Sequence, residues 1–393
     1  MRATLKTSFG RSAFLLAAVA SAAFCQTSGA RPEPIVSPGI APDRQVTFRI
    51  RAPKASEVLV SVSIGTLKPK PANAVKDQPG MWSMPMQKDA SGLWTATIGP
   101  LEPDVYRYIF FVDGVRAIDQ ANPLERPGGA IHWSYFEVPG NPPRFDQLQD
   151  VPHGSVQYRT YRATESKAIR NVAIYVPPDY DRYPDRKFPV LYLLHGGGDS
   201  EEGWVRLGHA PEIEENLLAQ RKTVPMLIVM PYGDTPGDAT TFDSIEAFGR
   251  ELFGDVFPLV EKNYRVTANR DNRAIVGFSM GVGQSFTLGL RYRDKFAWVG
   301  EFSAGAFGQK GFDLEKQVPG LLKSPATVNQ ELKLLYLSCG TEDTRYAAHT
   351  QMNDLLTKDG IHHEFHDTPG EHEWIAWRHL LADFMPRLFR PAK

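Results

Sequence analysis

The stretch Ala274-Ile275-Val276-Gly277-Phe278-Ser279-Met280-Gly281 constrains this chain more than any other. An apolar run ends in Gly-x-Ser-x-Gly, and an amphipathic run over 284–292 follows at once. That order predicts a buried strand, a turn too tight for side chains, and a helix. The strand lifts Ser279 to the edge of a sheet, and the flanking glycines keep Cβ atoms off the turn. The helix start beyond it offers free N–H groups and positive dipole to an oxyanion forming beside the serine. The motif therefore predicts a serine nucleophile on an α/β scaffold.

The 393 residues suffice for two domains. With 42% hydrophobic and 23% charged residues and a net charge of −1, the composition excludes disorder. It also gives no electrostatic reason to expect nucleic acid or an anionic membrane as partner. Residues 1–30 read as an export signal: Arg2, Lys6 and Arg11 precede an uncharged apolar run over 12–24, with small residues suited to cleavage after Ala22, Ala23 or Ala30. That run is too short to span a bilayer. Cys25 invites a lipid anchor, but Phe24 stands where such a site wants a small residue. Cys339 lies in an apolar run and is expected to be a buried, inert thiol. A secreted or periplasmic location follows, with no membrane contact once the signal is removed.

Periodicity changes along the chain. Residues 37–140 read as all-β: Val46, Phe48 and Ile50 alternate, as do Val58, Val60, Val62 and Ile64, and 94–98 and 106–112 are further strands. Asp89-Ala90-Ser91-Gly92 and Asp113-Gly114 are turns, the second of hairpin type. A small Ig-like sandwich is expected here, with 139–143 as linker. From about 150 to 393, strands predicted at 172–176, 190–194, 226–230, 274–276, 298–302, 332–337 and 363–366 alternate with helices at 248–264, 345–358 and 373–388. This predicts a mostly parallel sheet covered on both faces, with ligands at the carboxyl ends of its strands.

A serine hydroxyl needs an adjacent base, and a histidine base needs an acid to fix its tautomer. In the α/β-hydrolase arrangement the chain order is Ser, acid, His. Asp343 and His372 follow successive predicted strands downstream of Ser279, so Ser279 is read as nucleophile, His372 as general base and acid, and Asp343 as its orienter. Glu342 neighbours Asp343, and a slip of one residue would exchange them. His362, His363 and His366 lie in or before a strand, and no carboxylate or cysteine is spaced to complete a metal site with them. His349 on a helix is given no special role. The oxyanion hole is assigned to the Met280 N–H and to Leu194-His195-Gly196-Gly197-Gly198, with Gly197 as donor and Gly196 as the alternative. This chemistry needs no metal or cofactor.

With those residues in place, the chain resembles carbohydrate esterase family 1, the feruloyl and acetylxylan esterases related to human esterase D. The resemblance covers roughly 150–390. It rests on Leu194-His195-Gly196-Gly197-Gly198 with Trp204, Gly277-Phe278-Ser279-Met280-Gly281, Gly340-x-x-Asp343 and Gly370-x-His372-x-Trp374. It is especially similar to the feruloyl esterase modules of bacterial xylanases. Val282 departs from that group, which has a second glycine there; it is expected to narrow the pocket. The front resembles an early-set or family 48 carbohydrate-binding sandwich, through Gly92-Leu93-Trp94, Asp113-Gly114 and Asp119-x-x-Asn122-Pro123. The resemblance implies a plant cell-wall polysaccharide or oligosaccharide ester as partner, with substrate contacts from Trp204 and Trp374. Other esterase substrates, acetylxylan or a siderophore trilactone, stay open. So does a non-catalytic carbohydrate-binding role. Trp82, Trp94, Trp133 and Tyr135 either stack on sugars or fill the sandwich core. The sandwich either binds polysaccharide or shapes the cleft.

Overall fold

Alternation gives each front strand one face for a core and another for something else. The computed structural model describes residues 34–65, 70–78, 80–126, 132–235, 241–304 and 312–390. The export-signal segment lies outside them, as does part of the loop 235–244. The front strands form two antiparallel sheets. Gly39–Ile40, Val46–Arg51, Leu93–Ile98 and Gln87–Lys88 make one. Glu125–Arg126, Trp133–Val138, Asp104–Val112, Val58–Ser63, Met81–Pro85 and Val75–Gln78 make the other, with Val115–Ala117 returning on Asp104–Val112. Phe48, Val60, Val62, Tyr108, Phe110 and Phe136 fill the space between the sheets. Asp113 and Gly114 have φ of 47° and 81°, the left-handed pair that a two-residue hairpin turn needs.

The aromatic residues considered for sugar stacking are occupied by the protein itself. Trp94, Trp133 and Tyr135 are buried. The Trp94 Nε1–H donates to the Ala52 carbonyl at 2.9 Å. The Arg107 guanidinium covers Trp133 at 4.9 Å, and the Lys70 ammonium lies 5.1 Å from the Trp82 ring.

The rear sheet comprises β1 (Ser155–Arg162), β2 (Ile169–Val176), β3 (Val190–Leu194), β4 (Leu227–Pro231), β5 (Arg273–Phe278), β6 (Trp298–Phe302), β7 (Leu334–Gly340) and β8 (Glu364–Thr368). Their spatial order is β1-β2-β4-β3-β5-β6-β7-β8. β2 runs antiparallel to β1 and β4, and every other pair is parallel. Strands β3 to β7 are buried almost throughout because helices cover both faces. The helices that matter below are α1 (Ala210–Ala219), α2 (Phe242–Glu251), α3 (Met280–Arg291), α4 (Tyr346–Lys358) and α5 (Trp374–Phe384). Where one helix was expected at 248–264, α2 passes through a wider π-helical turn, Leu252–Val256, into a further helix, Phe257–Asn263. Among the described residues no helix is long and apolar enough to cross a membrane.

Among the elements that escaped the periodicity reading, two did so for opposite reasons. Strand β1 lies at the sheet edge and is largely exposed, so its sequence, SVQYRTYR, carries no apolar run. Helix α1 buries polar residues. Glu214 accepts the Met226 N–H at 2.8 Å, and the Asn216 amide donates to the Phe145 and Gln147 carbonyls.

Residues Ile35–Lys393 cluster as one compact unit. Val105 and Tyr135, on the outer face of the longer front sheet, join the core of the rear sheet. Conversely, Ile375 of α5 joins the sandwich core. Arg378 is buried between them: Nε lies 2.9 Å from Asp146 Oδ2, Nη1 donates to the Leu207 carbonyl at 2.6 Å, and Nη2 pairs with Asp104. A buried guanidinium without such partners would cost several kcal/mol. The segment around 139–147 is fastened as well, since Gln147 Oε1 accepts the Gly140 and Arg144 N–H groups at 3.0 and 2.8 Å.

Candidate active site

Ser279 has φ 53° and ψ −115°, a conformation costly for a residue with a Cβ. Its neighbours explain how the turn closes. A Cβ on Gly277 would lie 2.4 Å from the Gly281 carbonyl oxygen, and one on Gly281 would lie 2.6 Å from the His195 carbonyl oxygen. Both glycines are therefore steric requirements of the turn. Met280 opens α3, where first-turn N–H groups have no intrahelical acceptor. Val282 is buried in the core cluster that includes Ile245 and Phe286, so it packs the helix against the sheet and does not narrow a pocket.

Three loops meet at this turn. The His372 Nε2 lies 2.9 Å from Ser279 Oγ, and its Nδ1 lies 2.7 Å from Asp343 Oδ2. With Nδ1–H donating to the carboxylate, Nε2 presents its lone pair to the serine hydroxyl. Asp343 Oδ1 accepts the Arg345 N–H at 2.9 Å. Glu342, the alternative acid, is exposed. Burial works to raise the Asp343 pKa, but the bond to His372, the imidazole's charge and Arg345 outweigh it and hold the group at about 2. Burial pulls His372 below the ordinary imidazole value, against the upward push of Asp343. The resting state is thus a carboxylate, a neutral imidazole and a hydroxyl.

Gly197 lies beside the start of α3: a Cβ placed on it would be 3.8 Å from Met280 Cβ. A Cβ on Gly196 would lie 2.4 Å from the Phe278 ring, and Gly198 has φ 73°. His195 fixes this loop: Nδ1–H donates to the Gly196 carbonyl at 2.8 Å, and Nε2 accepts the Gly233 N–H at 2.8 Å. The Gln284 amide of α3 donates to the Gly233 carbonyl at 2.7 Å. Sequence reasoning gave neither side chain this bracing role, because the two loops they join are far apart in the chain.

The two tryptophans expected to meet substrate lie elsewhere. Trp204 is 1% exposed and Trp374 5% exposed. They meet edge to face at 5.2 Å and both pack on Phe278, with Trp204 Nε1–H donating to the Leu194 carbonyl at 3.0 Å. Neither indole has a free face for a ligand, so both support the turn from behind. Trp377 stacks on Phe278 at 3.9 Å and presents its ring to the His372 imidazole at 4.9 Å.

Three further histidines have other partners. His363 is bonded to Asn353 and the Ile361 carbonyl, and His366 pairs with Glu364 and Asp383. His349 is buried 3.0 Å from Glu301 and accepts the Ala304 N–H, two residues past β6. The Cys339 thiol is buried, and burial raises its pKa well above the usual thiol value.

Comparison with known proteins gives this geometry a family context. The family model described as "Putative esterase" matches residues 164–388. An endo-1,4-beta-xylanase/feruloyl esterase of Xylanibacter ruminicola is 28% identical over 381 residues, covering 91% of this chain and 47% of that protein. The chain spans about half the length of the curated relatives it matches first. A ferulic acid esterase of Anaeromyces mucronatus, solved with ferulic acid, is 22% identical with a TM-score of 0.53, covering 62% of this chain and 94% of that one. The enterobactin esterase of Shigella flexneri is 17% identical with a TM-score of 0.59, covering 87% of this chain and 92% of that one. At these identities the solved structures establish a shared fold: an α/β-hydrolase sheet.

Proposed function

The chain belongs to this esterase family, and from that premise we propose that it is a secreted or periplasmic serine esterase. It removes acyl groups, hydroxycinnamoyl groups such as ferulate foremost, from plant cell-wall sugars through an acyl-enzyme. One observation carries the reading. The Ser279 hydroxyl, on a left-handed backbone at the end of β5, meets an imidazole nitrogen whose partner nitrogen is held by a buried carboxylate. His372 takes the serine proton as Oγ attacks the ester carbonyl. The Met280 and Gly197 N–H groups receive the oxyanion, each such donor being worth about 3–4 kcal/mol of barrier. Asp343 steadies the imidazolium. His372 then gives its proton to the departing sugar alcohol, and water, activated by the same imidazole, hydrolyses the acyl-enzyme.

The substrate class draws support from the xylanase/feruloyl esterase relative, whose match extends over 91% of this chain. Residues 37–140 form a sandwich domain that shapes the cleft of the esterase domain at 150–393, consistent with the buried Trp94 and Trp133. Export rests on the charged and apolar pattern of 1–30. A second reading, hydrolysis of a siderophore trilactone, is kept in the test because an enterobactin esterase shares the fold over 87% of this chain. Rates on methyl ferulate, acetylated xylan and enterobactin separate the substrates. With ethanol added as a competing acceptor, the ratio of ethyl ferulate to ferulic acid should be the same for ferulate esters of different alcohols, because all share one feruloyl-Ser279 intermediate. A ratio that changes with the leaving alcohol overturns the acyl-enzyme route.

A further inference from the structure

His372 stands between two glutamates that both reach away from the rear sheet. Glu371 Oε2 lies 3.0 Å from Lys76 Nζ and accepts the Gly80 N–H at 2.9 Å. Both partners belong to the longer sheet of the sandwich or to the turn beside it. The Glu373 carboxyl, 1% exposed, rests against Gly80 and the adjacent Gly65: Cβ atoms on Gly65 and Gly80 would lie 3.1 and 2.9 Å from its oxygens. The backbone closes tightly between the two, with the Glu373 N–H donating to the Glu371 carbonyl at 2.9 Å, so His372 sits at the apex of a short turn. Two residues further on, Ile375 enters the sandwich core. On the opposite side the loop meets the Asp343 loop through the His372–Asp343 bond and through the Thr341 N–H to the Thr368 carbonyl and the Glu342 N–H to the Gly370 carbonyl.

Resting on the serine-esterase reading, we propose that the front sandwich is the mount of the general base, and that Glu371, gripped by Lys76 and the Gly80 N–H, is a positioning residue for His372. A base must hold its nitrogen within hydrogen-bond reach of the serine, and a displacement of about 1 Å can cost on the order of 10²-fold in rate. The elbow fixes Ser279 by its own backbone. A loop turn does this less fully for His372, so beside Asp343 and Trp377 its position also depends on what its flanking side chains grasp. A charge-assisted N–H bond and an ion pair converging on one carboxylate oxygen supply a directional grip. Because Lys76 is half exposed, the pair adds little to global stability. Its contribution is to placement. Arg107, on the same sheet, is close enough for its charge to act on both His372 and Glu373, so the sandwich also sets part of the field around the base.

The test uses the full chain and the variants Lys76→Met, Glu371→Gln, both together, and Lys76→Arg. Steady-state rates on 4-nitrophenyl acetate and methyl ferulate are measured with the labelling rate of Ser279 by a fluorophosphonate and with thermal unfolding. Each single variant should lose about tenfold in kcat with KM within about twofold, on the scale that a fraction of an ångström of misplacement allows. The double variant should be no slower than either single one, since both break the same grip. Lys76→Arg should recover most of kcat, labelling should slow in parallel, and melting temperatures should barely move. Unchanged kcat in both singles, additive losses in the double, or losses that track melting temperature would overturn the proposal. Failure of the underlying esterase reading is distinct: the wild-type chain would then not be labelled at Ser279 at all. Gly80→Ala is an independent check, because its Cβ would press on Glu373 at a backbone φ of 74°; it should lower kcat even with Lys76 and Glu371 intact.

Discussion

The elbow around Ser279 and the turn around His372 hold their functional atoms by opposite means. The elbow is set mainly by its own strand, glycines and helix, with the His195 carbonyl and the Phe302 carbonyl closing on it. Its strand is buried, its glycines are sterically required within a few residues of the serine, and its helix starts at the next position. The His372 turn has no such internal geometry. The carboxylate of its flanking Glu371 meets Lys76 and the Gly80 N–H, in contacts spanning 295 and 291 positions of chain. A rigid local motif can be carried by a short sequence, whereas a loop at a sheet edge takes its order from whatever packs on it.

Substitutions should separate the two. The largest effect is expected from Ser279→Ala, with a loss on the order of 10⁶-fold in kcat; a variant keeping a tenth of wild-type hydrolysis would remove the nucleophile assignment. Asp343→Asn leaves the shape but favours the wrong imidazole tautomer, so a loss of about 10⁴-fold in kcat is expected. If that variant fell only severalfold, the acid would lie elsewhere, with Glu342 the first place to look.

Stability variants sharpen the contrast. Gly277→Ala places a methyl 2.4 Å from a carbonyl oxygen inside the elbow, and overpacking of that kind costs about 1–3 kcal/mol in chemical denaturation. At the His372 turn the corresponding test is Glu373→Gln. Burial first, then Glu371, raises the Glu373 pKa from 4.5 to about 7; Asp104 adds to the rise, and Arg107 and Arg378 oppose it. Because the folded value exceeds the unfolded one, the protonated carboxyl favours folding. That contribution is fully present below pH 4.5 and is lost as pH rises through about 7. Glutamine cannot ionise, so the variant should be more stable than wild type at pH 8, by on the order of 3 kcal/mol, and equal to it near pH 4. Equal stability at both pH values would mean that the carboxyl is not held in its neutral form.

The smallest effect is on the pH profile. Since burial depresses the His372 pKa, kcat/KM should fall on acidification with a midpoint below 6.5, the ordinary imidazole value. A midpoint above 6.5 would mean that Asp343 outweighs burial, and that the turn is less enclosed than the elbow beside it.

Much of this was readable from the chain, and the exceptions share a cause. Apolar runs marked β2 to β7 because those strands are buried on both faces. The edge strand β1 and the polar-lined helix α1 lacked that signal. Residue type correctly directed attention to Trp204 and Trp374, but an indole beside a catalytic motif looks the same in sequence whether it faces a ligand or the core. Packing on Phe278 decided for the core. Val282 and the sandwich tryptophans are further cases in which burial, not identity, fixed the role.

By itself the sequence determined the elbow, the glycine loop beside it, and the order of serine, acid and histidine along a largely parallel sheet. Each of these depends on steric limits acting within a few residues, or on strand order. Tertiary structure alone decided that His195 and Gln284 brace the glycine loop through Gly233, and that the sandwich grips the turn carrying His372. Those contacts join charged or polar atoms distant along the chain, and no local pattern encodes which lysine will face which glutamate once both sheets have packed.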